Sequence, residues 1–469
     1  MSEASTGTGG RMRVVNPATG ELLVELPLAG TEETDEAVAR SVEAGPAWRA
    51  VAPADRARLL RRFATGVEEH AEELARLETA NVGKPIADSR DEIAMVAEVL
   101  HFYAGAVDKH RGDTVPVAGG VDLTFHEPLG VVAAIVPWNF PAAIASWKIG
   151  PALATGNTVV VKPSELTPLT ALRLRDLALE AGVPPGVLEV VVGSGPVAGA
   201  RLVEHPDVAK VAFTGSTAVG RTVMAGAAAT IKRVTLELGG KSANIVFADA
   251  DLERAADAAP AGVFGNAGQD CCARSRMLVE RPVWDRFLDL LGDSVARWRV
   301  GDPTDPRTQM GPLVSTDRQA VVGSFLGSGM GDPGGGDVVP RFVGQVPAGP
   351  GAWFPPTVVA PADPTWRVAR EEIFGPVAVV IPFDGEEDAV RLANDTTYGL
   401  AGSIWTRDGA RALRMARAVD AGNLSVNSNG SVRVQTSFGG RRQSGFGREL
   451  GLEALAAYTE VKNVFVSTA

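Results

Sequence analysis

The chain has 469 residues, with 45 Lys plus Arg against 56 Asp plus Glu, a formal net charge of −11. That balance gives no electrostatic reason to hold a polyphosphate backbone over a broad surface, which argues against a nucleic-acid binder. The 2 cysteines, Cys271 and Cys272, are neighbours, so the fold is not disulfide-stapled and a four-cysteine metal site is excluded.

In chain order, residues 1–11 (MSEASTGTGGR) are small and polar, without the apolar stretch of a secretory signal. No aliphatic run approaches the length of a membrane span, so a cytoplasmic protein without membrane contact is expected. A short strand region precedes three expected helices, at 31–50, 55–81 and 88–110. The first opens on Thr31 with Glu32 and Glu33, which suit a helix N-terminus. The second carries Leu59, Leu60, Phe63, Val67 and Leu74 near helical spacing. From residue 129 strands and helices alternate. Strands are expected at 130–137, 157–161, 188–192, 208–213 and 234–238, with helices at 140–155, 167–181, 197–205 and 217–229. Repeated βα units argue for a parallel sheet covered by helices on both faces. A second α/β block follows from 240 to about 423, with strands at 243–247, 275–279, 376–383 and 402–405. Its helices are expected at 252–265, 284–298, 386–394 and 409–419. Residues 327–336 are Gly-rich and read as a surface loop. Residues 459–466 read as an edge strand in need of a partner.

Several segments carry residues suited to chemistry. In residues 266–272 (NAGQDCC) a glycine turn leads to the thiol pair. A reachable, tuned thiolate is a nucleophile, but two buried core thiols fit the pattern equally. Glu237 closes an apolar strand before Gly239 and Gly240. Apolar surroundings raise a carboxyl pKa and suit a general base, and a solvent-facing Glu fits as well. Residues 239–242 are not the end of a P-loop, because Thr235 stands where its first glycine is required. Residues 213–220 (FTGSTAVG) end a strand and open a helix, which suits a phosphate or a plain Ser216 cap. Lys162 and Glu165, at another strand end, suit a ribose or are two solvated charges. Asn139, between Pro137 and Pro141, is a fixed oxyanion donor or part of a rigid turn with a packed Trp138.

This set, in this order, resembles the aldehyde dehydrogenase superfamily. The matching segments are 137–141 (PWNFP), 162–165 (KPSE), 213–220, 237–241 (ELGGK), 268–271 (GQDC), 371–377 (EEIFGPV) and 438–451 (FGGRRQSGFGRELG). The likeness spans roughly residues 14–464. It implies an α/β fold of two doubly wound parallel-sheet domains plus a small β bridging and oligomerisation element. The implied boundaries are 1–111 and 129–239 for the NAD-binding domain, 240–442 for the catalytic domain, and 112–128 with 443–469 for the bridge.

The resemblance implies NAD-dependent oxidation of an aldehyde to a carboxylic acid. Cys271 would form a thiohemiacetal and then a thioester. Asn139 and the backbone N–H of Cys271 would hold the oxyanion, and Glu237 would activate the hydrolytic water. Lys148 and Glu449 would carry protons around Glu237. The implied cofactor residues are Trp138, Lys162, Ser164, Glu165, Gly195, Phe213, Gly215, Ser216, Leu238, Gly239, Glu372 and Phe374. Lys162 and Glu165 match the adenine-ribose positions, where a carboxylate repels a 2′-phosphate and favours NAD over NADP. Trp138 and Ser216 match the pyrophosphate position, and Glu372, with Phe374 beside it, the nicotinamide ribose.

Phe140, Trp147, Asp270, Cys272 and Phe438 are the implied substrate lining, and no metal is expected. An acidic and aromatic lining suits a cationic aldehyde, similar to the aminoaldehyde and betaine-aldehyde branch. One departure is Val432, near where that branch carries an aromatic. Arg433 would repel a cation or favour an acidic semialdehyde, and aliphatic or aromatic aldehydes are alternatives. In this family the tail strand pairs with a neighbouring subunit's sheet, so a homodimer or homotetramer is expected. Two other readings are weaker. A CoA-acylating enzyme of this fold usually lacks the general-base Glu, and Glu237 is present. A non-catalytic scaffold should have lost Cys271, Glu237 or Asn139, and all three remain.

Overall fold

Side-chain alternation decides the first layer. Along the strand Val131–Ile135, Val132 and Ala134 join one apolar cluster, while Val131, Ala133 and Ile135 join another. The strand Thr158–Lys162 divides in the same way, with Val159 and Val161 on one face and Val160 on the other. Strands buried on both faces need apolar residues throughout, which VVAAI and TVVV supply. The computed structural model describes residues 6–7, 10–326, 338–430 and 432–468. The glycine-rich segment 327–336 lies outside the described residues.

The architecture is α/β, built on two largely parallel sheets. The first has six strands in the order Gly445–Phe446, Arg233–Glu237, Val208–Thr214, Val131–Ile135, Thr158–Lys162, Leu188–Val190. All its pairings are parallel except that of Gly445–Phe446, which runs antiparallel to Leu236 and Glu237. The sequence reading assigns those two residues to the bridge; they pair with the first sheet. Helices Thr31–Ala50 and Thr217–Ala228 supply the cluster on one face, and Pro53–Glu69, Ile86–Ala106 and Pro141–Ala154 the other. The second sheet has seven strands in the order Phe342–Val343, Thr357–Val359, Val377–Phe383, Arg276–Glu280, Ala243–Val246, Ala401–Trp405, Asn423–Val426. Among the described residues no helix is long and apolar enough to cross a membrane.

Two expectations change. The single helix at 55–81 is two, Pro53–Glu69 and Ala71–Val82, because the chain leaves helical geometry at His70 (φ −107°, ψ 19°). The His70 Nδ1 lies 2.8 Å from the Gly66 carbonyl, so the imidazole seats on the end of the first helix. The helix expected at 197–205 opens with a wide turn over Gly195–Gly199 before Ala200–Glu204. The tail strand Thr459–Ser467 takes its partner from its own chain, Gly120–Pro128, over nine residue pairs. It is the outer strand of a three-stranded sheet completed by Thr114–Val117.

Helix Pro141–Ala154 deserves its own account because it carries Lys148. All of its residues are buried. The residue before it is Phe140, which has no side-chain acceptor to cap the helix start. Two carboxylates from other helices do so instead. Glu78 Oε1 accepts from the Ala142 N–H at 3.0 Å, and Glu92 Oε1 from the Ala143 N–H at 3.1 Å. Lys84 pairs with Glu92, and its Nζ lies 4.5 Å from the centre of the Phe140 ring. Burial, with Glu92 nearby, pushes the Glu78 carboxyl up to about 8.

Removing one partner of such a buried pair strands the other charge. Glu92→Ala is expected to cost about 3–5 kcal/mol, read as a fall in the urea midpoint. Lys84→Met combined with Glu92→Leu should cost clearly less, since neither charge then remains.

Candidate active site

The thiol turn is set by backbone conformation. After helix Leu252–Phe264, the residues Asn266, Ala267 and Gly268 take φ of 48°, 54° and 70° in succession. Asn tolerates this left-handed region, whereas Ala267 adopts it at a steric cost. Gly268 has a second constraint, because a Cβ there would overlap the Gly375 carbonyl. Gln269 locks the turn: its Nε2 donates to the Asn266 carbonyl at 3.0 Å, and its Oε1 accepts from the Val314 N–H at 2.9 Å.

The same turn fixes Asn139. Its Nδ2 donates to the Gln269 carbonyl at 2.9 Å, and its own carbonyl accepts from Asn266 Nδ2 at 2.9 Å. An amide nitrogen has two hydrogens, so one remains for another acceptor. The expected oxyanion donor and the expected nucleophile are therefore held on one braced unit.

A cleft of about 290 Å³ opens beside it. It is lined by Pro137, Trp138, Asn139, Ile144, Thr214, Gly215, Ser216, Glu237, Leu238, Gly239, Cys271, Arg318, Glu372 and Phe374. Most of these follow the carboxyl ends of three parallel strands, where open α/β sheets bind ligands. Among them, Cys271, Glu237 and Asn139 meet in one place.

Burial sets the electrostatics. Glu237 is buried, and neither carboxylate oxygen has a partner. Desolvation pushes its pKa well above 4.5, with Glu449 adding to the effect and Lys148 and Arg448 opposing it. The Cys271 thiol is also pushed up, first by its hydrogen bond with Cys272, then by burial and by Asp270 and Glu372. Lys148 and Glu449 form a buried ion pair behind Glu237, and Lys148 Nζ also donates to Thr214 Oγ1 at 2.7 Å. Glu372 accepts from the Gly240 N–H at 3.0 Å, and burial lifts its carboxyl to about 7.

The remaining cofactor candidates lie along the same sheet edge. Lys162 Nζ donates to Glu165 Oε2 at 3.0 Å, and the Gly195 N–H donates to Glu165 Oε1 at 2.6 Å. Burial lowers the Lys162 pKa and Glu165 counters it. Ser164 and Phe213 are buried beside them. Ser216 Oγ accepts from the Val219 N–H at 3.3 Å, so Ser216 does cap helix Thr217–Ala228. The cap and an anion site coexist, because a helix start offers several N–H groups. Gly239 forms a cradle in which a Cβ would collide with the Glu372 carboxylate. The rings of Trp138 and Phe374 meet edge-on at 5.2 Å. The helix start, the ribose-suited Lys162–Glu165 pair and this cradle fit a dinucleotide.

On the other side, Trp147, Phe438 and Cys272 share one buried apolar cluster, with Phe140, Cys271 and Val432 packed against it. The Trp147 and Phe438 rings are 5.3 Å apart. Lys84 already occupies a face of the Phe140 ring. Asp270 Oδ1 is held by the Cys272 N–H at 2.8 Å. The exposed Arg433 folds back onto the Val432 carbonyl at 2.6 Å.

Two residues escaped the sequence reading. Arg318 lines the cleft from helix Thr316–Gly323, donating to the carbonyls of Ile373 and Phe374. Lys210 is buried beside the Lys148–Glu449 pair, with Nζ 3.2 Å from Thr235 Oγ1 and 4.9 Å from the Tyr458 ring centre. Burial pulls its pKa down to about 7. Neither lies in a motif, and no local pattern announces them.

Comparison with known proteins places the chain in a family. The profile of the aldehyde dehydrogenase family matches residues 4–464. The NADP/NAD-dependent aldehyde dehydrogenase PuuC of Escherichia coli is 45% identical over 97% of this chain and 92% of its own. The mitochondrial aldehyde dehydrogenase of Mesocricetus auratus is 43% identical over 96% of this chain and 91% of its own. The structure of PnpE in complex with nicotinamide adenine dinucleotide superposes with a TM-score of 0.94 at 44% identity, covering 98% of this chain and 94% of that one. Betaine aldehyde dehydrogenase of Staphylococcus aureus in complex with NAD+ gives 0.94 at 36% identity, covering 98% and 92%. With a profile match over nearly its whole length and relatives above two-fifths identity, the chain belongs to the aldehyde dehydrogenase family.

Proposed function

We propose that the chain oxidises an aldehyde to a carboxylic acid with NAD, using Cys271 as nucleophile and Glu237 as general base. One observation carries this reading: Cys271, Asn139 and Glu237 face a single cleft at the strand ends of the first sheet.

As the Cys271 sulfur attacks the aldehyde carbon, its thiol proton passes to Glu237 and the carbonyl oxygen takes the negative charge. The spare Asn139 N–H and the Cys271 backbone N–H stabilise that oxygen. NAD, when bound, supplies the hydride acceptor that brings the sulfur-bound carbon to the thioester level. Glu237, with both oxygens unpartnered, takes a proton from water as the water attacks the thioester. The C–S bond breaks and the acid leaves. Lys148 and Glu449 stand behind Glu237 and pass its proton outward.

Lys162, Ser164, Glu165 and Gly195 would hold the adenine ribose, with the Glu165 charge favouring NAD over NADP. Phe213, Gly215, Ser216, Leu238 and Trp138 would receive the pyrophosphate. Gly239, Glu372 and Phe374 would seat the second ribose. For the aldehyde, Asp270 beside Cys271 favours a cationic aminoaldehyde, as does the likeness to betaine aldehyde dehydrogenase. An uncharged aliphatic or aromatic aldehyde is the second reading, favoured by the Trp147–Phe438–Val432 cluster and by the Lys84 cation on Phe140. The outer edge of Thr459–Ser467, with Val461 58% and Phe465 52% exposed, supports pairing between copies in a homo-oligomer. Two unpaired thiols suit a reducing, cytoplasmic setting.

Cys271→Ala is expected to abolish NADH formation while NAD still quenches protein fluorescence; normal turnover in that variant would overturn the nucleophile assignment. Glu237→Gln should lower steady-state turnover ~10²–10⁴-fold and leave an acyl adduct visible in the intact-protein mass. The raised Glu237 pKa has a definite sign. The basic form is gained only above the usual carboxyl value of 4.5, so turnover should climb with pH through a limb above that value. That limb should be missing in Glu237→Gln. A panel of ω-amino, aliphatic, aromatic and acidic aldehydes tests the substrate class, and no preference for ω-amino members would retire the cationic reading.

A further inference from the structure

The second thiol has no part in the chemistry above, yet its position is closely defined. Sulfur atoms of Cys271 and Cys272 and a carboxylate oxygen of Asp270 all lie within 4.8 Å of one another. The hydrogen bond from the Cys272 N–H to Asp270 Oδ1, 2.8 Å, folds the carboxylate back over the two residues that follow it. In a tetrahedral zinc site, with Zn–S near 2.3 Å, two sulfurs stand about 3.8 Å apart. The observed spacing is therefore within a small side-chain adjustment of a chelate. Adjacent cysteines rule out a four-cysteine site but leave a two-sulfur, one-oxygen set with an open fourth position.

A second observation points the same way. Glu237 is 3% exposed, lines the same cleft, and has neither oxygen partnered. Glu372 faces the cleft as well. Two acidic side chains, Glu237 and Glu372, thus crowd the cleft that Cys271 faces. A dication would relieve that crowding, and soft sulfur ligands select thiophilic metals over magnesium or calcium.

We propose that Asp270, Cys271 and Cys272 form a binding site for a thiophilic divalent cation of the Zn²⁺ or Cd²⁺ type, and that its occupancy blocks the Cys271 sulfur. Binding replaces two S–H bonds with two metal–sulfur bonds and releases two protons to solvent, so no oxidant or reductant is needed. The blockade rests on the function proposed above; the binding does not.

The test uses the 469-residue chain stripped of metal with a chelator, without NAD or aldehyde. Titration with Cd²⁺ should build an ultraviolet thiolate-to-cadmium charge-transfer band that saturates at one equivalent. Competition against a chromogenic chelator gives the Zn²⁺ affinity, which Cys272→Ala and Asp270→Asn should each weaken ~10-fold or more. No band on the unaltered chain would overturn the site, whether or not the variants fold. Undiminished affinity in both variants would also overturn it. NADH formation is followed in parallel. Its absence from the stripped chain counts against the oxidation reading and leaves the metal site standing. Full NADH formation with one equivalent of Zn²⁺ bound would overturn the blockade.

Discussion

Gly268 packs so closely on Gly375 that a Cβ would overlap its carbonyl, and the rest of the site hangs from that turn. Three successive left-handed residues are an expensive way to turn a chain. Here the cost is offset by bonds that only this turn permits. Gln269 reaches Asn266 and Val314, while Asn266 donates to the Asn139 carbonyl and Asn139 to the Gln269 carbonyl across the two halves of the protein. The thiol-bearing loop of the second α/β block is thereby fastened to the loop after the central strand of the first. Neither sheet alone could set the separation between the proposed nucleophile and the proposed oxyanion donor.

Desolvation is the second organising force. The protein buries Lys84, Lys148, Lys162 and Lys210 and also Glu78, Glu92, Glu237 and Glu449. Most of these charges are paired, as burial demands. Lys84 takes Glu92, Lys148 takes Glu449, and Lys162 takes Glu165. Lys210 and Glu78 have hydrogen bonds to neutral groups only, and Glu237 has none on either oxygen. A carboxyl left unpartnered in a dry cleft holds its proton tightly and has lone pairs with nothing else to accept. The same physics that makes Glu237 costly to fold makes it a fitting base.

Much of this was legible in the sequence, and the reason is local. Strand-end loops with Gly, Pro and Asn at set positions write their geometry into a few adjacent residues, so 137–141, 213–220 and 266–272 could be read one by one. The alternation of β-branched runs with helical stretches gave the parallel sheets. What escaped was non-local or too short. Thr357–Val359 and Asn423–Val426 have too few residues for a period to show. The cap that Glu78 and Glu92 place on helix Pro141–Ala154 joins residues 64 and 51 positions apart. Arg318 and Lys210 acquire meaning only from what packs around them. The tail is legible only in part: an edge strand announces that it needs a partner, and the structure adds Gly120–Pro128 on one side.

The Lys148–Glu449 pair spans 301 positions of sequence, and the edge strand Gly445–Phe446 closes the first sheet from the same late segment. As the chain leaves the ribosome, Lys148 is made early and its counter-charge almost last. Until then the helix that carries it has an ammonium with a neutral partner in Thr214 and no counter-charge. The first sheet therefore lacks its edge strand and Lys148 its counter-charge until late in synthesis, although the other five strands are already present. Such contacts between distant segments make for slow, late consolidation and for a nascent chain exposed to association meanwhile. The buried Lys148–Glu449 pair can form only once translation has passed residue 449.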